Sequence, residues 1–198
     1  MNRCKWCLSS DKMIKYHDEE WGLPLHNDRG QFEFLTLEVM QCGLNWNMMI
    51  EKRKVFAQCF DNFNYEKIAQ YTENDIERII NTPGMIRSKH KIEAVINNAN
   101  CFLKIINDYG SFSKYIWSFT QGKTMVYTNH SENLPSHNKL SDTISKDMKK
   151  KGFKFIGSVT IYSHLQACGI INDHERNCFR YKELTENHQF IFKEDFVD

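Results

Sequence analysis

Metal-binding side chains gather at the two ends of the chain. Cys4, Cys7 and His17 lie near the N-terminus, and His174 and Cys178 near the C-terminus. His174 and Cys178 are four residues apart, which puts both side chains on one helical face or in one turn. Two ligands from each end would make a closed tetrahedral Zn²⁺ site that staples the termini together. Cys4-Lys-Trp-Cys7 is itself a C-x-x-C, so Cys4/Cys7 competes with Cys4/His17 as the N-terminal pair. Independent core cysteines and surface histidines would give the same spacing.

A second constellation centres on Glu38. At helical spacing its neighbours are Phe34, Leu35, Gln41 and Cys42. A carboxylate in that setting is costly unless something pairs with it. Trp6, Tyr16, Trp21 and Trp46 are near it in sequence, and Gly43-Leu44-Asn45-Trp46 follows its helix directly. Aromatic rings beside an acid suit a flat cationic ligand, through stacking, cation–π attraction and charge neutralisation. The bland alternative puts Glu38 at a helix edge in water and the rings in the core.

The third group is a hairpin, Thr82-Pro83-Gly84-Met85-Ile86-Arg87-Ser88, between two helical segments. Pro83 cannot continue the preceding helix, and Gly84 permits the left-handed backbone of a tight reversal. Such a turn presents backbone N–H groups and a helix N-terminus, a cradle for phosphate. Arg87, Lys89 and Lys91 add cations there. A plain solvated helix–helix turn is the alternative. Five lysines between Lys146 and Lys154 could also grip phosphates, although such runs are more often soluble helix faces.

The elements that must position these groups read as helical nearly throughout. Apolar spacing predicts helices over 31–41, stopping near Gly43, and over 47–60. A capping-box-like Thr72-x-x-Asp75 opens another that runs to Asn81. The clearest stripe is Ile92, Val95, Ile96, Ala99, Phe102, Leu103 and Ile106, ending before Gly110. Ser111 caps a short helix. Residues 120–140 read as a long polar surface loop, 141–151 as a basic helix, and 157–169 as another helix. Residues 1–25 and 170–198 read as irregular. The expectation is an all-α fold.

Composition sets the outer bounds. A chain of 198 residues, 41% hydrophobic and 26% charged, is an ordinary globular mixture, which excludes disorder and collagen-like repeats. Three prolines and nine glycines leave little punctuation for an all-β sandwich. A net charge of +1 supplies no global cationic field, so any nucleic-acid contact must be local. The seven scattered cysteines, an odd number, suggest a reduced intracellular protein. The N-terminus has no apolar signal core, and no run approaches the roughly 18 apolar residues of a membrane span.

Several blocks in register resemble the DNA-3-methyladenine glycosylase I family. They are Tyr16-His17-Asp18-Glu19-Glu20-Trp21-Gly22; Leu37-Glu38 with Gln41-Cys42-Gly43-Leu44-Asn45-Trp46; Lys151-Gly152-Phe153-Lys154-Phe155-Ile156-Gly157; Gln166-Ala167-Cys168-Gly169; and Asn172-Asp173-His174. The resemblance covers about residues 3 to 178. It implies a fold of the helix-hairpin-helix glycosylase class and hydrolysis of the N-glycosylic bond of 3-methyladenine in alkylated DNA. It puts Cys4, His17, His174 and Cys178 on the zinc positions and demotes Cys7. It puts Glu38 on the acid that recognises the flipped base, with Tyr16 and Trp46 lining the pocket and Trp6 and Trp21 nearby. Gly43 and Leu44 fall on the element that plugs the duplex gap.

Three positions depart from the family pattern: Cys42 stands where Ala is usual, Asn45 where Ser is, and His164 where an apolar aromatic is. They keep open a non-enzymatic damage-binding module, and the metal candidates keep open a zinc-dependent hydrolase. Asp108, about twenty residues past the hairpin, sits in a helix-ending turn and is assigned no catalysis. The expected whole is one domain over residues 1–182 with a C-terminal extension over 183–198. It would hold one structural zinc and act as a cytoplasmic monomer on double-stranded DNA carrying alkylated bases, with no membrane association.

Overall fold

The computed structural model describes residues 1–128, 130 and 134–193. Its helices are α1 (Asp11–Glu19), α2 (Asp28–Gln41), α3 (Trp46–Cys59), α4 (Tyr65–Ile68), α5 (Glu73–Asn81), α6 (Lys89–Tyr109), α7 (Phe112–Ser118), α8 (Lys139–Lys150), α9 (Ser158–Ala167) and α10 (Phe179–Asn187). Two short strands, β1 (Thr124–Tyr127) and β2 (Phe190–Lys193), pair in parallel, with Thr124 opposite Phe190 and Tyr127 opposite Lys193.

Helix α2 is the central element. Residues 31–32 and 34–40 are all buried, so it is covered nearly all round, as its largely apolar sequence requires. It packs against α3, α6, α7 and α9. The Asn27 side chain caps it by accepting from the Gly30 amide at 2.7 Å. Asp28 in its first turn accepts from the amides of Phe112 and Ser113, so it also caps α7. Helix α6 lays Ile92, Val95, Ala99 and Phe102 into the core, where Phe102 stacks on Phe112 at 4.1 Å. It ends where Gly110 adopts φ +82. The capping box of Thr72 and Asp75 opens α5 as its sequence predicts.

Two expectations need correction. Residues 120–140 are not one surface loop, because all four residues of β1 are buried. The Met125 amide donates to Ile170 and its carbonyl accepts from Asn172, which ties β1 to the chain following α9. The mostly helical fold therefore carries one small parallel sheet that the all-α reading omitted. The two ends of the chain are also more regular than expected. Residues 5–9 form a 3₁₀ turn that leads into α1, and α10 runs across the expected boundary at 182/183, with Leu184 buried. Residues 183–187 complete α10 and 190–193 form β2, while 194–198 lie outside the described residues. No helix among the described residues is long and apolar enough to cross a membrane.

Candidate active site

Where α1, α2, α3 and α9 meet they enclose a cavity of about 250 Å³ lined by Trp6, Tyr16, Trp21, Glu38, Gln41, Trp46, Leu134, Ser163 and Gln166. All five aromatic and acidic residues expected at a base pocket are in this lining. Trp6 meets Trp21 edge-on at 4.9 Å, and Tyr16 lies 5.8 Å from Trp46. Gln41, a helical neighbour of Glu38, lines the cavity too, and Leu134, Ser163 and Gln166 are residues that the sequence alone does not single out for it. Ser163 and Gln166 sit three residues apart on α9, one face of one helix. Gln166 is held by its amide, which donates to Asp173 at 2.8 Å.

Glu38 is buried, and among the described residues its carboxyl has neither a hydrogen-bond nor an ion-pair partner. Burial alone pushes its pKa up to about 8. The Tyr16 hydroxyl, also buried, has no partner either. Burial raises that phenol well above its usual value, and Glu38 adds to the effect. Unsatisfied polar atoms at the wall of an aromatic cavity are what a ligand with complementary polar edges would satisfy.

The three departures from the family pattern lie outside this lining. Asn45 caps α3, its side chain accepting from the Asn47 amide at 2.8 Å, so it does the job expected of a serine there. His164 is fully buried and hydrogen-bonded to Gln31 at 2.9 Å. Burial lowers its pKa to about 4, which keeps the ring neutral. Cys42 closes α2, with its sulfur 3.5 Å from the Glu38 carbonyl and 3.8 Å from the Thr160 hydroxyl.

Gly43 and Leu44 form the exposed tip between α2 and α3, with Gly43 at φ +80 and Leu44 36% exposed. The Leu44 amide donates to Gln41 at 2.6 Å, and the Gln41 side chain donates back to Leu44 at 2.7 Å, which makes the tip compact.

The hairpin between α5 and α6 turns at Gly84, φ +84, and its carbonyl accepts from Lys52 of α3. Among the described residues, the amides of Gly84, Ile86 and Arg87 donate to no acceptor, and the side chain of exposed Arg87 has no ion-pair partner. Lys89 pairs with Glu73. Lys91 does not join the cations facing outward. It turns back to α2 and donates to the carbonyls of Met40 at 2.8 Å and Cys42 at 2.7 Å. Asp108 is exposed at the end of α6 and is not among the cavity residues.

Beside the cavity, Cys4, His17, His174 and Cys178 are all buried, with ligand atoms within 4.8 Å of one another. Cys4 Sγ lies 3.5 Å from His174 Nδ1, Cys178 Sγ 3.4 Å from His17 Nε2, and Cys178 Sγ 3.7 Å from His174 Nδ1. The remaining ring nitrogens are engaged elsewhere. His17 Nδ1 meets Asp18 at 2.8 Å, and His174 Nε2 meets the Trp21 carbonyl at 3.2 Å. Cys7 is turned away, its thiol donating to the Cys4 carbonyl at 3.1 Å.

A profile of the methyladenine glycosylase family matches residues 6–181. The chain is 39% identical over 183 residues to DNA-3-methyladenine glycosylase 1 of Escherichia coli K12, covering 91% of this chain and 97% of that one. Its fold matches 3-methyladenine DNA glycosylase I of Staphylococcus aureus with a TM-score of 0.85 at 36% identity, over 90% of this chain and 96% of that one. A solved variant of 3-methyladenine DNA glycosylase I in complex with 3-methyladenine matches with a TM-score of 0.86 at 36% identity, over 90% and 97% of the two chains. The chain belongs to the methyladenine glycosylase family.

Proposed function

We propose that this protein excises 3-methyladenine from alkylated duplex DNA, hydrolysing the N-glycosylic bond and releasing the free base for repair. The observation that carries this reading is the buried carboxyl of Glu38, without a partner among the described residues, in an aromatic cavity sized for one flat ring. At about 250 Å³ the cavity falls below the roughly 300–1,000 Å³ of drug-sized sites.

The glycosylic bond is inaccessible inside the stack, so the nucleotide must be extruded, at a cost of a few kcal/mol that is smaller for a damaged pair. Leu44 at its exposed tip is the side chain to fill the gap. The free hairpin amides and Arg87 suit phosphate binding in the manner of a helix-hairpin-helix element, with Lys89 alongside. 3-Methyladenine is cationic while attached to deoxyribose and leaves as a neutral base, so it is an activated leaving group. Glu38 complements that charge and accepts from the exocyclic amine. Tyr16, Trp46, Trp6 and Trp21 select a flat, electron-poor ring.

Cys4, His17, His174 and Cys178 suit one zinc ion. Tetrahedral Zn²⁺ with ordinary bond lengths holds S and N donors about 3.3–3.8 Å apart; three pairs, at 3.4, 3.5 and 3.7 Å, fall in that range, and all four donors lie within 4.8 Å of one another. Each histidine offers one nitrogen to the cluster and has the other fixed by an oxygen, the outer-shell arrangement of zinc histidines. Zinc bound here would be structural, since four protein ligands leave no open position for an activated water.

The test is to incubate the purified protein with methylated duplex under single-turnover conditions and identify the released bases. Free 3-methyladenine is expected. Tight binding of the lesion without release would identify a non-enzymatic damage-binding module instead.

A further inference from the structure

Lys91 occupies the first turn of α6, immediately after the hairpin, where a cation would ordinarily be read as a phosphate contact. Its ammonium points the other way. It donates to the Met40 and Cys42 carbonyls at the C-terminal end of α2, and no carboxylate among the described residues pairs with it. Carbonyls at a helix end lack intrahelical donors, and a cation there is favoured by the helix dipole. Lys91 supplies both donors and charge at the residue from which the Gly43-Leu44 tip departs. Burial lowers its pKa, as befits an ammonium drawn away from water.

Two neighbours complete the arrangement. Lys52 of α3 donates to the carbonyl of Gly84 at the hairpin turn. The tip itself is closed by the reciprocal bonds between Gln41 and Leu44. The hairpin is therefore joined to both helices that flank the tip, and Lys91 hydrogen-bonds its following helix, which also packs along α2, to the end of α2. Glu38 lies one turn earlier on that same helix. A displacement of the end of α2 relative to the hairpin would move the tip relative to the bound backbone.

We infer that Lys91 is a positioning residue: it fixes the Gly43-Leu44 plug and the end of the Glu38 helix in register with the phosphate-gripping hairpin, and it does not itself contact DNA. This rests on the glycosylase reading above. Anchoring on phosphates then dictates where Leu44 enters the duplex.

The variants are Lys91→Met, which keeps the stem and removes the donors, and Lys91→Arg, which keeps charge and donors. Three quantities are compared with the wild type: single-turnover excision of 3-methyladenine from duplex, affinity for free 3-methyladenine by quenching of tryptophan fluorescence, and the salt dependence of binding to undamaged duplex. Lys91→Met should lower excision about ten- to hundredfold, the scale of a small misplacement of reacting groups. Free-base affinity and salt slope should stay at wild-type values, and Lys91→Arg should recover most of the excision.

A salt slope reduced by about one would make Lys91 a phosphate contact and overturn the inference. So would unchanged excision by Lys91→Met, or a parallel fall in free-base affinity, which would mark a general loss of the fold. If Lys91→Met does not fold, Lys91→Gln, which removes the charge, takes its place for the salt slope, where a fall of about one would overturn the inference, and excision by Lys91→Arg below a tenth of the wild-type rate would overturn it too. A wild type that releases no 3-methyladenine would instead refute the glycosylase reading beneath it.

Discussion

Replacing Glu38 with glutamine should make the ligand-free protein more stable and the enzyme worse. The buried carboxyl ionises at about 8 in the folded protein, against 4.5 in an unconstrained chain. Folding therefore raises its pKa, and the sign follows directly: its contribution to stability is complete below pH 4.5 and is lost progressively as the pH rises to about 8. At pH 7 the loss spans about 2.5 units, or about 3 kcal/mol. Glutamine keeps the shape and carries no charge to desolvate. Glu38→Gln should therefore gain up to about 3 kcal/mol at pH 7 and almost nothing near pH 4. Denaturant unfolding of both proteins at these two pH values reads the difference directly.

Excision should move the other way. A cationic base favours the ionised carboxylate, so lesion binding expels the Glu38 proton, and wild-type excision should rise with pH until about 8 and then level. Glu38→Gln should lose that limb and the charge-assisted bond, worth about 1.5–3 kcal/mol, or roughly ten- to hundredfold in excision efficiency. Affinity for undamaged duplex should barely change, because phosphates supply it. A glutamine variant less stable than the wild type at pH 7 would mean that Glu38 has a native partner. Near-wild-type excision by Glu38→Ala would remove it from the site.

The remaining expectations concern the metal cluster, the hairpin and one glycine. Purified protein should carry one tightly held zinc per chain; Cys178→Ala should lose it and melt earlier while Cys7→Ala keeps it, and equal metal loss by elemental analysis would overturn the ligand assignment. Arg87→Ala should weaken damaged and undamaged duplex alike and lower the salt slope by about one, whereas an unchanged slope would mean that the hairpin is not the anchor. Gly169→Ala should cost at least about 3 kcal/mol in denaturant unfolding. Gly169 has φ +71, and a Cβ there would come within 2.5 Å of the Leu23 backbone and 2.6 Å of Gly22 and Pro24; a loss under about 1 kcal/mol would show that this junction can relax.

Much of the site was legible because its chemistry demands unusual residue types. A glutamate among apolar neighbours, four aromatics close to it, and Cys/His pairs at both termini all stand out from a helical background. Glycine punctuation at Gly43, Gly84 and Gly110 marked real turns, each with positive φ. The misses have physical causes. β1 is short and buried on every residue, so it has no two-residue alternation, and its partner β2 lies far along the chain. Ser163 and Gln166 are ordinary polar residues that reach the cavity only because α9 packs on α2. Lys91 looks like its basic neighbours in sequence; only the placement of α6 against the end of α2 distinguishes its direction.

The Cys/His cluster and the cavity are also mechanically one object. Tyr16 and His17 are consecutive on α1, and one faces the cavity while the other joins the cluster. Trp21 lines the cavity, and its carbonyl and ring both touch His174, the ring at 4.5 Å. Gly22 exists as glycine because a Cβ would sit 2.6 Å from His174 Nε2. Two aromatic walls are therefore backed by the buried Cys/His cluster, while α2, capped by Asn27 and held at its end by Lys91, fixes Glu38. This rigidity is what lets an uncompensated acid persist. A cavity free to relax would bring Glu38 a protein partner and lose its preference for a cation; held apart, the carboxyl gives up its proton to pair with the one charge the substrate brings.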